Sequence, residues 1–312
     1  MRLNLNLING RFITLDDDNH NVESVTIENG QIINFNRPNP NFQTIDVKNN
    51  IVIPGFIDSH FHLKNYGKRQ DMINLKKIDS LDTIVQLIQE KISSNPDIHW
   101  IEGFGWDHNL WGGSYPESNI LNSISNEHPI VLTRIDGHSM WVNDIALNKS
   151  NHSVEELNDI SGGQVINDCI LVDNSMGPVR QMMPDDNVQD IERWIKLAIS
   201  NANQMGITNV HDAWQDAHIV QAIQNLIAND EMHLRCYGML GAAHTELLNH
   251  FFNQGHLISD LYTIRSVKAF IDGALGSRGA ALLEPYSDDE HNCGLILISK
   301  DEFEDLAHQC YK

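Results

Sequence analysis

The chain has 312 residues, a hydrophobic content of 41%, a charged content of 20% and a formal net charge of -21. This length allows one large domain or two ordinary ones, and the composition is typical of a globular protein. The negative charge argues against nucleic acid and anionic membranes as partners, because no basic stretch offsets it, and its simplest role is solubility.

The cysteines show no C-x-x-C spacing, and the N-terminal stretch has no apolar core of the kind that directs secretion. No apolar run approaches the length of a membrane span. We therefore expect free thiols in a reducing compartment and a cytoplasmic protein, and leave open whether it forms a homo-oligomer. The cysteines are Cys169, Cys236, Cys293 and Cys310.

Residues 1–53 are predicted to form a small antiparallel β-sheet. Leucines alternate with asparagines from Leu3 to Leu7, which is the period of a strand. Asn9-Gly10 predicts a turn into a return strand over residues 11–15. Asn29-Gly30 stands between two further apolar runs and predicts a second hairpin.

The segment PGFIDSHFHL, residues 54–63, follows an apolar run and places His60 and His62 two residues apart. In a strand, residues i and i+2 face the same side, so both imidazoles and Asp58 can point into one cavity. Two imidazoles on one rigid face are a good start for a zinc-type site. A bare His-x-His is weak evidence in a chain with 16 histidines, but the buried strand and the aspartate in phase strengthen it.

Beyond residue 190, predicted helices alternate with predicted strands at 207–212, 234–240 and 264–272. The spacing of roughly thirty residues is the size of a β/α repeat. Such repeats predict an α/β fold with a parallel sheet, either open or closed into a barrel.

The segment between His62 and Gly206 is too long for one β/α repeat. We therefore predict an insertion at about residues 64–185, with strands of its own near Trp100–Phe104 and Ile130–Ile135. Insertions on this side of a barrel commonly lie over the active site.

Lys268 lies in the predicted strand 264–272, on the same face as Asp272. A lysine inside a barrel is unfavourable unless it is paired, neutralised or modified. The spacing alone leaves open a structural Lys–Asp pair, a lysine that reaches the barrel mouth, and a functional lysine. The glycine-rich loop Gly273–Gly279 that follows could bring backbone N–H groups and Arg278 close to a substrate.

Other polar and aromatic side chains allow two interpretations each. Asp136 and His138 share a strand phase, which fits a substrate contact as well as a structural polar network. Trp106 lies in a loop rich in glycine and aromatic residues, which fits a pocket wall or a contact between domains. His211 faces inward on the strand 207–212, where a hydrogen-bonded core histidine is the more common case.

Together these stretches resemble the amidohydrolase superfamily, in the branch called amidohydrolase family 3, which includes N-substituted formamide deformylases. The resemblance runs along most of the chain. The matching stretches are PGFIDSHFHL (54–63), GFGWD (103–107), RIDGHSMWVNDIAL (134–147), GITNVHDAW (206–214) and VKAFIDGALGSRGAALLEPYSDD (267–289).

The resemblance implies a metal-dependent (β/α)8 TIM-type barrel, of which residues 54–312 form the N-terminal half, and a small β-sandwich to which residues 1–53 contribute. It implies one or two divalent metal ions, with zinc expected. The matching metal ligands are His60, His62 and Lys268, and the lysine of family members is often carboxylated so that it bridges two metals.

Four residues are predicted to contact substrate, and one is predicted to orient a histidine ligand from behind. The expected substrate is a small amide-like molecule, and the expected reaction is hydrolysis of a carbon–nitrogen bond other than a peptide bond. The predicted substrate contacts are Trp106, Asp136, His138 and Asp272, and the orienting residue is Asp58.

The chain departs from the family pattern at its end. It stops at Lys312, within the helix predicted after the fourth barrel strand, whereas family members continue with further histidine ligands and an aspartate that acts as general base. We therefore expect a truncated fragment that is inactive alone, with its general base beyond Lys312. A non-hydrolytic isomerase or lyase on the same scaffold, and an inactive half-barrel that binds another chain, stay open.

Overall fold

The structure, a computed structural model, describes residues 4–15, 21–95, 98–275 and 278–311. Leu3 of the first predicted strand and residues 276–277 of the glycine-rich loop lie outside these ranges. The chain forms two compact units. One unit comprises residues up to Asp58 and Met205–Asn209, and the other comprises Ser59–Gln204 and the residues from Val210 onward.

The N-terminal unit contains a five-stranded sheet with the order β3-β2-β1-β4, in which β5 also pairs with β1. Phe12, Val22 and Val25 form its core. The described residues of this unit do not include a second sheet, which the predicted β-sandwich would require. The strands are β1 (Leu5–Phe12), β2 (Val22–Glu28), β3 (Gln31–Phe35), β4 (Gln43–Asp46) and β5 (Ile51–Val52).

The two Asn-Gly pairs of this sheet differ. Asn29 and Gly30 have φ angles of 52° and 79° and join β2 to β3, so the predicted hairpin is confirmed. Asn9 has a φ of 54°, but β1 continues through it and pairs with β4 before it and with β5 after it. The predicted turn at Asn9-Gly10 is wrong, because the positive φ serves an irregularity within a strand.

Strand β6 (Phe56–Phe61) carries the His-x-His motif and is followed by helix α1 (Leu63–Asp71). A six-stranded sheet with the order β11-β12-β10-β9-β8-β7 comes next along the chain. The predicted strands near residues 100–104 and 130–135 are confirmed as β8 and β9. The elements are β7 (Ile73–Asn74), α2 (Leu81–Ser94), β8 (Ile101–Trp106), α3 (Ser118–Asn122), β9 (Ile130–Arg134), β10 (Ser139–Val142), α4 (Asp144–Lys149), α5 (Val154–Asn158), β11 (Gly163–Ile166), β12 (Ile170–Asp173) and α6 (Gly177–Met182).

The remaining elements form the sheet that holds the candidate site. Its strand order is β15-β16-β14-β13-β6, with β14 parallel to β16, and it does not close into a barrel within the described residues. The predicted β/α alternation is confirmed, and the fold is mixed α/β. The elements are α7 (Val188–Gln204), β13 (Ile207–Gln215), α8 (Ala217–Ala228), β14 (Arg235–Gly241), α9 (Thr245–Gln254), β15 (Leu257–Ile258), β16 (Tyr262–Lys268) and α10 (Lys300–Tyr311).

Helix α1 packs closely against α7. A Cβ atom added at Gly67 would lie 1.9 Å from the carbonyl oxygen of Trp194, so only glycine permits this approach. Lys64 and Lys68 of α1 each form a 2.9 Å ion pair with Asp186, just before α7. These contacts fix the helix that begins directly after His62. Within the described ranges, every helix is too short or too polar to cross a membrane.

Candidate metal centre

His60 and His62 lie together at the end of β6. Their ring centroids are 5.3 Å apart, and the ring planes are nearly perpendicular, at 82°. His60 is exposed on the strand, and His62 is half-buried between the strand and α1. The structure therefore brings the two predicted ligands side by side, as the two-residue spacing requires.

The electrostatic surroundings favour the neutral form of His62. Burial lowers the pKa of its imidazole, and the positive charges of His60 and Lys268 lower it further. A neutral imidazole has the free nitrogen lone pair that binds a metal ion. The charge of Lys268 thus acts on His62, although 206 residues separate them in the sequence.

Lys268 is the last residue of β16, and its Nζ lies 5.3 Å from the ring centroid of Phe270. Within the described part of the chain it forms no ion pair with a carboxylate. Asp272 instead accepts a 3.0 Å hydrogen bond from the backbone N–H of Ala281. The predicted strand extended to Asp272, but β16 ends at Lys268. Lys268 and Asp272 therefore do not share a strand face as predicted.

A cavity of about 260 Å³ opens beside His62. Trp214, at the end of β13, packs edge-on against His244, with ring centroids 5.7 Å apart. The Nε2 atom of His244 is buried without a hydrogen-bond partner. The cavity is lined by His62, Lys64, Asn65, Asp212, Trp214, Asp216, Ile219 and His244.

Asp212 is the most deeply buried carboxylate of this cavity, with an exposed fraction of 1%. Burial raises the pKa of its carboxyl to about 6, against opposing hydrogen bonds from Gln215 and from the backbone N–H of Leu63. Asp212 and His244 were not predicted from the sequence. The signal for Asp212 is a carboxylate in phase with the apolar Val210 and Trp214, on the face of the strand opposite to His211.

The donor set tests whether these residues fit a metal ion. Two adjacent imidazoles, of which His62 has a lowered pKa, fit the first part of a zinc-type site, as does a lysine that forms no ion pair with a carboxylate of the described residues. No group of three or more His, Cys, Asp or Glu side chains with metal-site geometry occurs among the described residues. His60, His62 and Lys268 therefore fit as a partial ligand set.

Trp106 lies apart from this centre. Its exposed fraction is 0%, its indole N–H donates a 2.7 Å hydrogen bond to the carbonyl oxygen of Leu132, and its ring contacts Trp141. These contacts place Trp106 in the core of the sheet β7–β12, in contrast to the predicted place in a substrate pocket. The glycine-rich surroundings suggested a loop, but Trp106 ends strand β8 and faces inward.

Asp136 and His138 belong to a polar network after β9. Asp136 forms an ion pair with Arg134 and accepts a 3.0 Å hydrogen bond from the backbone N–H of His138. The Nδ1 atom of His138 lies 2.8 Å from a carboxylate oxygen of Asp173, and both side chains are exposed. The geometry matches the structural polar network.

The remaining predicted residues lie near the sheet of the candidate site. Asp58 is half-buried on β6, two residues before His60. His211 packs against Tyr237, with ring centroids 5.0 Å apart. Arg278 of the glycine-rich loop forms a 3.0 Å ion pair with Asp288.

Comparisons with known proteins bear on the family and the fold. Residues 43–312 match the model of the amidohydrolase family. The chain is 27% identical over 276 residues to the protein LONG AFTER FAR-RED 3 of Arabidopsis thaliana, and 22% identical over 289 residues to N-substituted formamide deformylase of Arthrobacter pascens. These matches cover 82% and 84% of this chain but 47% and 51% of the relatives, so the chain spans about half their length.

A similar fold occurs in a crystal structure of an uncharacterized metal-dependent hydrolase from Pyrococcus furiosus. The TM-score is 0.81, the sequence identity is 23%, and the match covers 99% of this chain and 65% of that chain. At this identity the likeness concerns the fold alone.

Proposed function

The chain belongs to the amidohydrolase family, and on this premise we propose that it is part of a metal-dependent hydrolase for carbon–nitrogen bonds other than peptide bonds. Amides and N-substituted formamides are the proposed substrates. The observation that carries the proposal is the adjacent pair His60 and His62. The pKa of His62 is lowered by burial and by the positive charges of His60 and Lys268.

In this proposal His60 and His62 hold a divalent ion, with zinc as the favoured metal, and Lys268 completes or bridges the site. When bound, the ion supplies Lewis-acid chemistry for an attack of water on a carbonyl group. The chain positions the imidazoles on a strand end, and burial together with the Lys268 charge keeps His62 ready to bind. We assign no general base to the described residues.

The cavity beside His62 is the proposed place for the substrate. Its lining combines the aromatic face of Trp214 with the polar side chains of Lys64 and His244. Most of the lining side chains are polar, with Trp214 and Ile219 as the apolar ones, which suits a small molecule with a polar amide group. We place substrate recognition here, since Trp106, Asp136 and His138 have their contacts elsewhere.

The names of two similar proteins support the substrate class and the metal. One is a formamide deformylase and the other a metal-dependent hydrolase. Because the chain spans about half of the deformylase and 65% of the hydrolase, the activity of the whole protein is part of the proposal.

A substrate panel tests the proposal. A chain that contains these residues and has the full length of the relatives is supplied with zinc and assayed on amides, N-substituted formamides, cyclic imides and esters. We expect turnover of an amide or formamide that is lost in His60→Ala and retained in His233→Ala, which changes an exposed histidine outside the site. Zinc binding without turnover of any member would contradict hydrolysis and favour an isomerase, a lyase or an inactive half-barrel.

A further inference from the structure

Helix α1 begins with an unusual cap. Its N-cap residue is His62, whose side chain makes no capping hydrogen bond. At most helix N-termini, a Ser, Thr, Asn or Asp at the N-cap position accepts a hydrogen bond from the backbone N–H of the second or third helical residue. Here the backbone N–H of Leu63 donates a 2.9 Å hydrogen bond to Oδ1 of Asp212, which lies 149 residues further along the chain.

Asp212 is itself held by a buried network. Its Oδ2 accepts a 2.8 Å hydrogen bond from Nε2 of Gln215, and Oε1 of Gln215 accepts a 2.6 Å hydrogen bond from the hydroxyl of Tyr262. The exposed fractions of Asp212, Gln215 and Tyr262 are 1%, 0% and 1%. A buried network in which each member is bonded is rigid, and it ties β13 to β16.

The hydrogen bond between Leu63 and Asp212 is made directly beside His62. Asp212 satisfies the N–H of Leu63, which is one of the helix donors without a partner inside the helix, and the imidazole of His62 lines the cavity. The same bond fixes the backbone of the residue that directly follows His62. His62 and Asp212 also line one cavity, so the bond is made at the site itself.

We propose that Asp212 is a positioning residue for His62: it caps α1 from outside the helix and thereby fixes the predicted metal ligand. This proposal rests on the proposed function, since it gives the bond a purpose in metal binding. Residues that hold metal ligands in place typically change metal affinity by about 10- to 100-fold when they are replaced.

Variants at both ends of the network separate positioning from general stability. Asp212→Ala removes the acceptor for Leu63. Asp212→Asn keeps an acceptor oxygen toward Leu63, and the Gln215 amide can turn to accept from the new amide group. Tyr262→Phe removes the far end of the network and leaves the bond between Leu63 and Asp212 intact.

The measurement is zinc affinity by competitive titration of the whole chain, together with the melting temperature. We expect zinc binding about 10- to 100-fold weaker in Asp212→Ala and within a few-fold of wild type in Asp212→Asn and Tyr262→Phe. A folded Asp212→Ala protein with wild-type zinc affinity would overturn the proposal. So would an equal loss in Tyr262→Phe.

If Asp212→Ala does not fold, the leucine α-hydroxy acid at position 63 replaces the amide by an ester and deletes only the N–H donor. The same loss of zinc affinity is expected, and unchanged affinity would overturn the proposal.

A second readout needs no metal. In Asp212→Ala or the ester protein, the imidazole nitrogen shifts of His62 should change, while those of the exposed His233 should not. Absence of zinc from the wild-type chain would count against the proposed metal site. Unchanged His62 shifts would count against positioning by Asp212, so the two failures are distinguishable.

Discussion

Two strand ends of this molecule carry polar side chains at alternate positions, and they differ in how their charges are satisfied. At the end of β9, Arg134 and Asp136 neutralise each other, and His138 is bonded to Asp173. At the end of β6, His62 faces the positive charges of His60 and Lys268. The first arrangement satisfies its own charges. In the second, positive charges surround a half-buried histidine and lower its pKa, which leaves its nitrogen lone pair ready for an added ligand.

The comparison shows that strand phase alone does not identify a site. Both groups satisfy the rule that alternate residues share a face. What distinguishes them is the sign of the charge that faces each histidine, which is negative at His138 and positive at His62. Variants at these two strand ends and in their surroundings test this distinction.

The largest effect on stability is expected from Trp106. Trp106→Ala would leave a large cavity in the core of the sheet β7–β12 and cost about 3–5 kcal/mol of unfolding free energy. Zinc affinity should stay at the wild-type level wherever the protein is folded. Denaturant unfolding and zinc titration measure the two effects. A stable Trp106→Ala protein with impaired substrate binding would instead support the prediction that Trp106 contacts the substrate.

A smaller effect is expected from Asp212, through pH. Since its pKa is raised from 3.8 to about 6, the folded state binds the extra proton between these values, and stability falls as the pH rises through this window. The shift corresponds to about 3 kcal/mol of unfolding free energy. Asp212→Asn removes the group, so unfolding measured from about pH 4 to about pH 7 should show a correspondingly flatter profile. An unchanged profile would contradict the burial argument.

Lys268 and Lys76 offer a matched pair. Each Nζ lies over a phenylalanine ring, at 5.3 Å from Phe270 and 5.4 Å from Phe104, but only Lys268 acts on His62. Lys268→Met should raise the pKa of His62 and weaken zinc binding by at least about tenfold, while Lys76→Met should change neither. NMR titration of His62 and zinc titration test this. Equal behaviour of the two variants would remove Lys268 from the site.

The smallest effect is expected in the network after β9. Asp136→Asn breaks an exposed ion pair, and such pairs contribute about 0–1 kcal/mol. Neither zinc affinity nor turnover should change. A loss of turnover with unchanged zinc content would show that Asp136 contacts the substrate after all.

Much of the fold follows from local sequence patterns. The hairpin at Asn29-Gly30, the β/α alternation after residue 190 and the pairing of His60 with His62 each depend on neighbouring residues, and each was predictable. The family resemblance adds Lys268. Its electrostatic effect on His62 could not be read from the local sequence, because the two residues are far apart in the chain.

The remaining features depend on long-range structure. Trp106 is buried because its strand lies within a six-stranded sheet, and Asp212 caps a helix 149 residues away in the sequence. Likewise, β16 ends at Lys268, where the chain leaves the sheet, and does not continue to Asp272. A strand pattern gives the phase of a side chain, but not the partner that the folded chain brings to it.

The most direct test of the metal centre is the zinc content of the dialysed chain, measured by elemental analysis for wild type, the double variant His60→Ala with His62→Ala, and His233→Ala. We predict stoichiometric zinc in the wild type and in His233→Ala, and its loss in the folded double variant. Zinc retained by the double variant at the wild-type level, or a wild-type chain that retains none, would contradict the assignment of His60 and His62 as metal ligands.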